Sequence, residues 1–188
     1  MNSSDTEMPQ SGNPAAALPK LPMVWIGYLL GFATIAAEFI ALDLHPELAK
    51  QGGIPPLYLF LVNFVGGVYW FVCIHRYHVI LAHVPGWKHP ISPARAVGFH
   101  FIPFYNLYWI FVWPKEIAKF VNERLRAPVM KPVAIGVAIL AALVLRVLDP
   151  GFGLILLFLP MSYISECLRR AFAAAPLAPS SASSASHE

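Results

Sequence analysis

Residues Ser92 to Asn122 read SPARAVGFHFIPFYNLYWIFVWPKEIAKFVN, and whether this stretch crosses a membrane decides the fold. Its middle, Val97 to Trp113, crowds eight Phe, Tyr and Trp rings into seventeen residues and interrupts them with Pro103 and Asn106. Rings with an apolar body and a polar tip collect at membrane boundaries. Ser92 followed by Pro93 is a helix start, a capping hydroxyl and then a residue whose φ is already helical. The helix that begins there cannot run cleanly past Pro103, which lacks an amide donor and collides with the preceding turn. Asn106 is placed to bond the carbonyls that Pro103 leaves unpaired. A second break is expected at Pro114. Beyond it, Ile117, Phe120, Val121 and Leu125 share one helical face, and Lys115, Lys119, Glu123 and Arg126 the other. That pattern predicts a helix lying in the interface, with Lys115, Lys119 and Arg126 facing anionic lipid headgroups.

Working outward, the 188 residues are 57% hydrophobic and 12% charged. Soluble domains are about a quarter charged, so a single membrane domain is indicated. The net charge of +3 gives no support to nucleic-acid binding. Cys73 and Cys167 stand alone in apolar sequence, which excludes a disulfide framework and a zinc-site spacing. Residues 1–21 and 171–188 are polar and small tails that bury too little surface to fold. The positive n-region and cleavage site of a signal peptide are missing from the first tail, so the first apolar run reads as an uncleaved anchor.

The membrane domain, 22–170, contains four apolar runs. Met23 to Leu44 has the length of a crossing helix, and its Gly27 and Gly31 would let another backbone approach. Leu57 begins a second run that continues past Arg76 to Pro85. Val133 to Leu148 and Phe152 to Leu168 are each a little short for a full crossing.

Charge placement settles how the aromatic stretch is drawn. If Val97 to Trp113 crossed, one basic cluster flanking it would lie outside; if it dips in and returns, the basic residues gather on one side. Lys20, Arg76, Lys88, Arg95, Lys115, Lys119, Arg124, Arg126, Lys131, Arg169 and Arg170 then share a compartment, leaving only Lys50 and Arg146 elsewhere. Cytoplasmic loops retain positive residues, so the second arrangement is favoured. The expected fold is an all-α polytopic bundle of four transmembrane helices plus one broken re-entrant or interfacial helix, with both termini cytoplasmic. In that topology Glu38 and Arg146 approach the same leaflet and would relieve each other as a buried ion pair, with Asn63 a third member.

Arg76 and His78 after the second run, then Ser92-Pro93, Gly98 and Phe101-x-Pro103-x-x-Asn106-Leu107, resemble a family of bacterial integral-membrane domains of unknown function, over roughly Val68 to Asn122. His100 stands where members of that family usually carry a ring such as Trp. The resemblance implies a bacterial inner-membrane protein and no particular activity.

Five histidines fall between His75 and His100. His75 and His78 share a helical face and His100 could approach from the broken helix, so these three are the candidate ligands for a metal or haem. No HExxH or CxxCH accompanies them, and interfacial histidines are the plainer reading. No cofactor is expected. Neither a nucleophile elbow, a P-loop nor a paired-carboxylate motif points to an enzyme. The expectation is a non-catalytic membrane platform acting through lipid headgroups, a second copy of itself or a membrane-protein partner. A solute channel or transporter with its site at Asn106 is the alternative, since broken helices build such sites.

Overall fold

The computed structural model describes residues 19–44, 46 and 56–174. Most of both tails, Lys50 and most of the loop after the first apolar run lie outside the described residues; the expected tail boundary at 171 is corrected, since the last helix runs to Ala173 with Ala171 fully buried. Six α-helices are described: α1 Val24–Leu44, α2 Leu57–Ala82, α3 Pro93–Gly98, α4 Tyr105–Leu125, α5 Pro132–Leu148 and α6 Pro150–Ala173, with a 3₁₀ turn Phe99–Phe101 following α3. Three of them, α1, α2 and α6, are long and apolar enough to cross a membrane, and α5 is a shorter apolar helix of 17 residues.

Helix α6 is the centre of the bundle and packs against α1, α2, α4 and α5. Leu154, Leu157, Phe158, Met161, Ile164 and Leu168 on it are fully buried. It is longer than its apolar run because Asp149 caps it, accepting the Phe152 N–H at 2.8 Å, and because Arg169 and Arg170 pair with Glu166 in its last turns. Lipid is as apolar as leucine, so close approach rather than burial alone has to hold such helices together. Small residues supply it. The buried face of α1 is Val24, Gly27, Gly31, Thr34, Ala37 and Ala41. A methyl group on Gly27 would collide with the Phe158 ring, and one on Gly31 would meet the Ile155 side chain and lie 3.2 Å from its backbone nitrogen.

Polar ties fix the register. The buried Tyr77 hydroxyl joins α2 to α6, donating to the Met161 carbonyl at 2.8 Å and lying 2.6 Å from the Ser165 hydroxyl. Tyr28 on α1 meets Ser162 at 2.8 Å. Asn122 closes the turn between α4 and α5, accepting the Met130 N–H at 2.8 Å and donating to its carbonyl at 3.0 Å. Arg126 ends α4 in the left-handed region, φ 51°.

The aromatic stretch makes a hairpin against α2. His89 sits beside His78, and Phe101 beside Phe71 with ring centroids 5.1 Å apart, so residues 89–101 run antiparallel to α2. The chain then reverses at Pro103 and Phe104. Helix α4 returns, passing His78 at Trp113 and reaching Trp87 and Phe172 at Phe120. The first break, at Pro103, is where the sequence puts it. The second is a correction: α4 is continuous from Tyr105 to Leu125 with Pro114 inside it. Pro114 costs the hydrogen bond to the Ile110 carbonyl, and neighbouring helices make such losses tolerable within a bundle. The reading of Lys115 to Arg126 as a helix with its apolar face in lipid is corrected with it. Ile117, Phe120 and Val121 are buried in the bundle, while Lys115, Lys119 and Arg126 are exposed.

Gly31→Val should destabilise the protein by roughly 1–3 kcal/mol, the usual cost of forcing volume into a packed interface. Thermal unfolding in mild detergent checks this; an unchanged midpoint would mean that α1 and α6 do not meet at Gly31.

Candidate functional site

The hairpin is built from local signals. The Ser92 hydroxyl accepts the Arg95 N–H, and Pro93 opens α3. Trp109 on α4 donates its ring N–H to the Ala96 carbonyl at 3.0 Å, tying the returning helix to the end of α3. Phe99 stacks edge-on against Trp109 and Tyr105. At the tip Phe104 has φ 61°, a conformation that costs a bulky side chain of order 1–3 kcal/mol. It is 89% exposed, and Phe101, Leu107 and Tyr108 around it are also exposed.

Inside the hairpin lies a cluster of histidine and tryptophan rings. His100, on the 3₁₀ turn, meets Trp70 edge-on at 5.2 Å and Phe71 at 5.5 Å, with Trp113 of α4 at 6.5 Å. Trp113 lies 6.2 Å from His78. His78 Nδ1 is 2.7 Å from His89 Nε2, so one imidazole donates to the other. His78 and Trp113 have no exposure, Trp70 has 2% and His100 9%. Within this cluster His78 Nε2, His89 Nδ1, both His100 nitrogens and the indole nitrogens of Trp70 and Trp113 are buried without a hydrogen-bond partner. Buried polar atoms are nearly always partnered, so this concentration of exceptions marks the cluster as the candidate site. Burial lowers His89, in the loop before α3, and Glu116 on α4 opposes it. His78 and His89 share a hydrogen bond, so the pair can take up one proton and pass it on, which is the simplest chemistry open to this arrangement.

The candidate residues are distributed as follows. His78 and His100 both enter the cluster, while His75 is exposed. His89 replaces it. Among the described residues no group of three His, Cys, Asp or Glu is disposed to hold a metal ion. Ser92, Pro93, Gly98 and Pro103 all lie on the hairpin's entry and turn. Asn106 reaches the Ile102 carbonyl through its backbone N–H at 3.1 Å, whereas its side-chain oxygen is buried without a partner. Arg146 and Asn63 are brought together: the guanidinium donates to the Asn63 carbonyl at 3.0 Å and to its side-chain oxygen at 2.6 Å. Glu38 lies close by but on a different group, accepting the Gly151 N–H at 3.1 Å at the start of α6, where the helix dipole favours a carboxylate. Asn63 is thus the direct partner of Arg146, and Glu38 takes the helix terminus in place of the guanidinium.

No family model, curated protein or solved structure matches this chain.

The burial of His89 has a pH signature. A histidine whose folded pKa is depressed adds stability above its ordinary value near 6.5, and that stability falls away as the pH drops below it. His89→Phe should flatten the fall of the unfolding midpoint below pH 6.5. Equal slopes in the two proteins would place His89 in water.

Proposed function

We propose that this chain is a non-catalytic integral protein of a bacterial inner membrane, with four crossing helices, a re-entrant hairpin and both termini in the cytoplasm. Its charged end serves as a platform for anionic headgroups and for a membrane partner or second copy. The observation that carries the reading is the segregation of exposed side chains along the bundle axis. Exposed Phe39, Leu44, Leu57, Phe60 and Val147 belong to the part where α1 ends, α2 starts and α5 meets α6. Lys88, Arg95, Lys119, Arg126, Arg169 and Arg170 belong to the other end, where α2, α4 and α6 finish. Cations gathered at one end accord with retention of positive charge in the cytoplasm.

The hairpin fits this frame. Phe71, level with its tip, lies eleven residues before Ala82. Eleven residues of helix are about 16 Å, so the aromatic tip reaches near the middle of the ~30 Å hydrocarbon layer and returns. Helix α5, at 17 residues, is the fourth crossing. Its length of about 25 Å suffices where Arg146, near its end, is already hydrogen-bonded to Asn63. The solute-transport reading rests on Asn106, whose buried side-chain oxygen at the foot of the tip is an acceptor with nothing donating to it.

Single cysteines at Lys88→Cys, Lys119→Cys and Asp149→Cys, in a background with Cys73→Ala and Cys167→Ala, test the topology. Membrane-impermeant maleimide on intact spheroplasts should label position 149 and spare 88 and 119, which become reactive on permeabilisation. Opposite behaviour of 88 and 119 would overturn the hairpin.

A further inference from the structure

A cavity of about 600 Å³ opens where the segment entering α1 crosses α6. Its cause is the late start of α1. Pro22 precedes the helix, and Gly27 and Tyr28 already pack level with Phe158 and Ser162. Val24, the first residue of α1, lines the same cavity as Ser165 and Glu166, so the last turns of α6, to Ala173, run on past the start of α1. Leu21, Val24 and Phe172 give the cavity apolar walls, and Ser162, Glu166 and Arg169 give it a polar side. The Ser162 hydroxyl is held by Tyr28. Glu166 is shared by two guanidinium groups, Arg169 and Arg170, so this trio carries one unbalanced positive charge.

We propose that this cavity binds the headgroup and glycerol region of one anionic phospholipid. Three features select that chemistry. The volume lies within the range of small-molecule sites. The cavity stands at the border between the exposed apolar side chains of α1, Trp25 and Leu29 among them, and the charged last turns of α6, which is where a lipid changes from acyl chain to phosphate. The surplus guanidinium charge matches a phosphodiester, and Arg169, which engages Glu166 through Nη1, can donate to it from its remaining N–H groups. Inorganic phosphate would satisfy the charge and leave Leu21, Val24 and Phe172 uncovered. This site deepens the platform reading and rests on the chain being embedded in a bilayer, but its test in detergent does not depend on which compartment holds Arg169.

Thermal unfolding of the full chain in a neutral mild detergent, titrated with short-chain phosphatidylglycerol, phosphatidylcholine and inorganic phosphate in parallel, tests it. Phosphatidylglycerol should raise the midpoint saturably, by roughly 5 °C near saturation, and the other two should not. Arg169→Gln should weaken the phosphatidylglycerol response roughly fivefold, Arg169→Lys less, and Lys131→Gln, at an exposed cation that does not line the cavity, not at all. Leu21→Trp, which narrows the apolar side and keeps every charge, should weaken it too. An equal response to phosphatidylcholine or phosphate, or equal behaviour of Arg169→Gln and Lys131→Gln, would overturn the proposal.

Discussion

A chain that reverses direction among apolar side chains must give its loose backbone groups a partner, and the reversal at Pro103 and Phe104 is where this protein meets that constraint. Here the Pro103 carbonyl accepts the Tyr105 N–H at 2.7 Å, Ile102 accepts from Asn106, and Phe104 accepts from Leu107. These three carbonyls are satisfied within the tip, and Phe104 bears the strain of the turn. Below the tip, the Trp109 to Ala96 hydrogen bond and the rings around His100 clamp the descending helix to the ascending one. Without that clamp nothing would bring Lys115 and the residues after it back to the end where α2 finishes.

The same hairpin gives the bundle its polar interior. His100 is carried inward by the 3₁₀ turn, and His89 is folded onto His78 by the loop that feeds α3. Placing imidazoles among indole rings costs little while all are neutral, and aromatic edge-to-face contact returns part of that cost. Protonation changes the sign, because the carboxylate acting on His89 is Glu116, which already binds Lys119. Structure and acid response are therefore linked through one cluster.

Much of the fold was legible because its signals are local. Ser92-Pro93 marks a helix start, and Gly27 with Gly31 marks the face that meets α6. Pro114 misled because a proline's effect depends on what surrounds it: buried between packed helices, it stays within α4. The amphipathic pattern after it was real, but a periodic apolar face does not say whether lipid or protein covers it. At the candidate site, His78 and His100 stood out by type, whereas His89 lies in a loop whose path no spacing rule predicts. Trp70 and Trp113 could not be told from other interface rings. Asn63 and Arg146 were found as uncharged and charged groups in need of partners; that Glu38 would choose the first amides of α6 depends on where α5 and α6 join.

The central claim is that the aromatic stretch climbs along α2 and turns back. Cysteine cross-linking across that contact tests it most directly, using Phe71→Cys with Phe101→Cys in native membranes, without Cys73 and Cys167. The account predicts rapid disulfide formation by a membrane-permeant oxidant, within single chains and independent of expression level. A cross-link that fails to form, with Phe101→Cys reacting instead from the face of the membrane opposite Lys119, would contradict it.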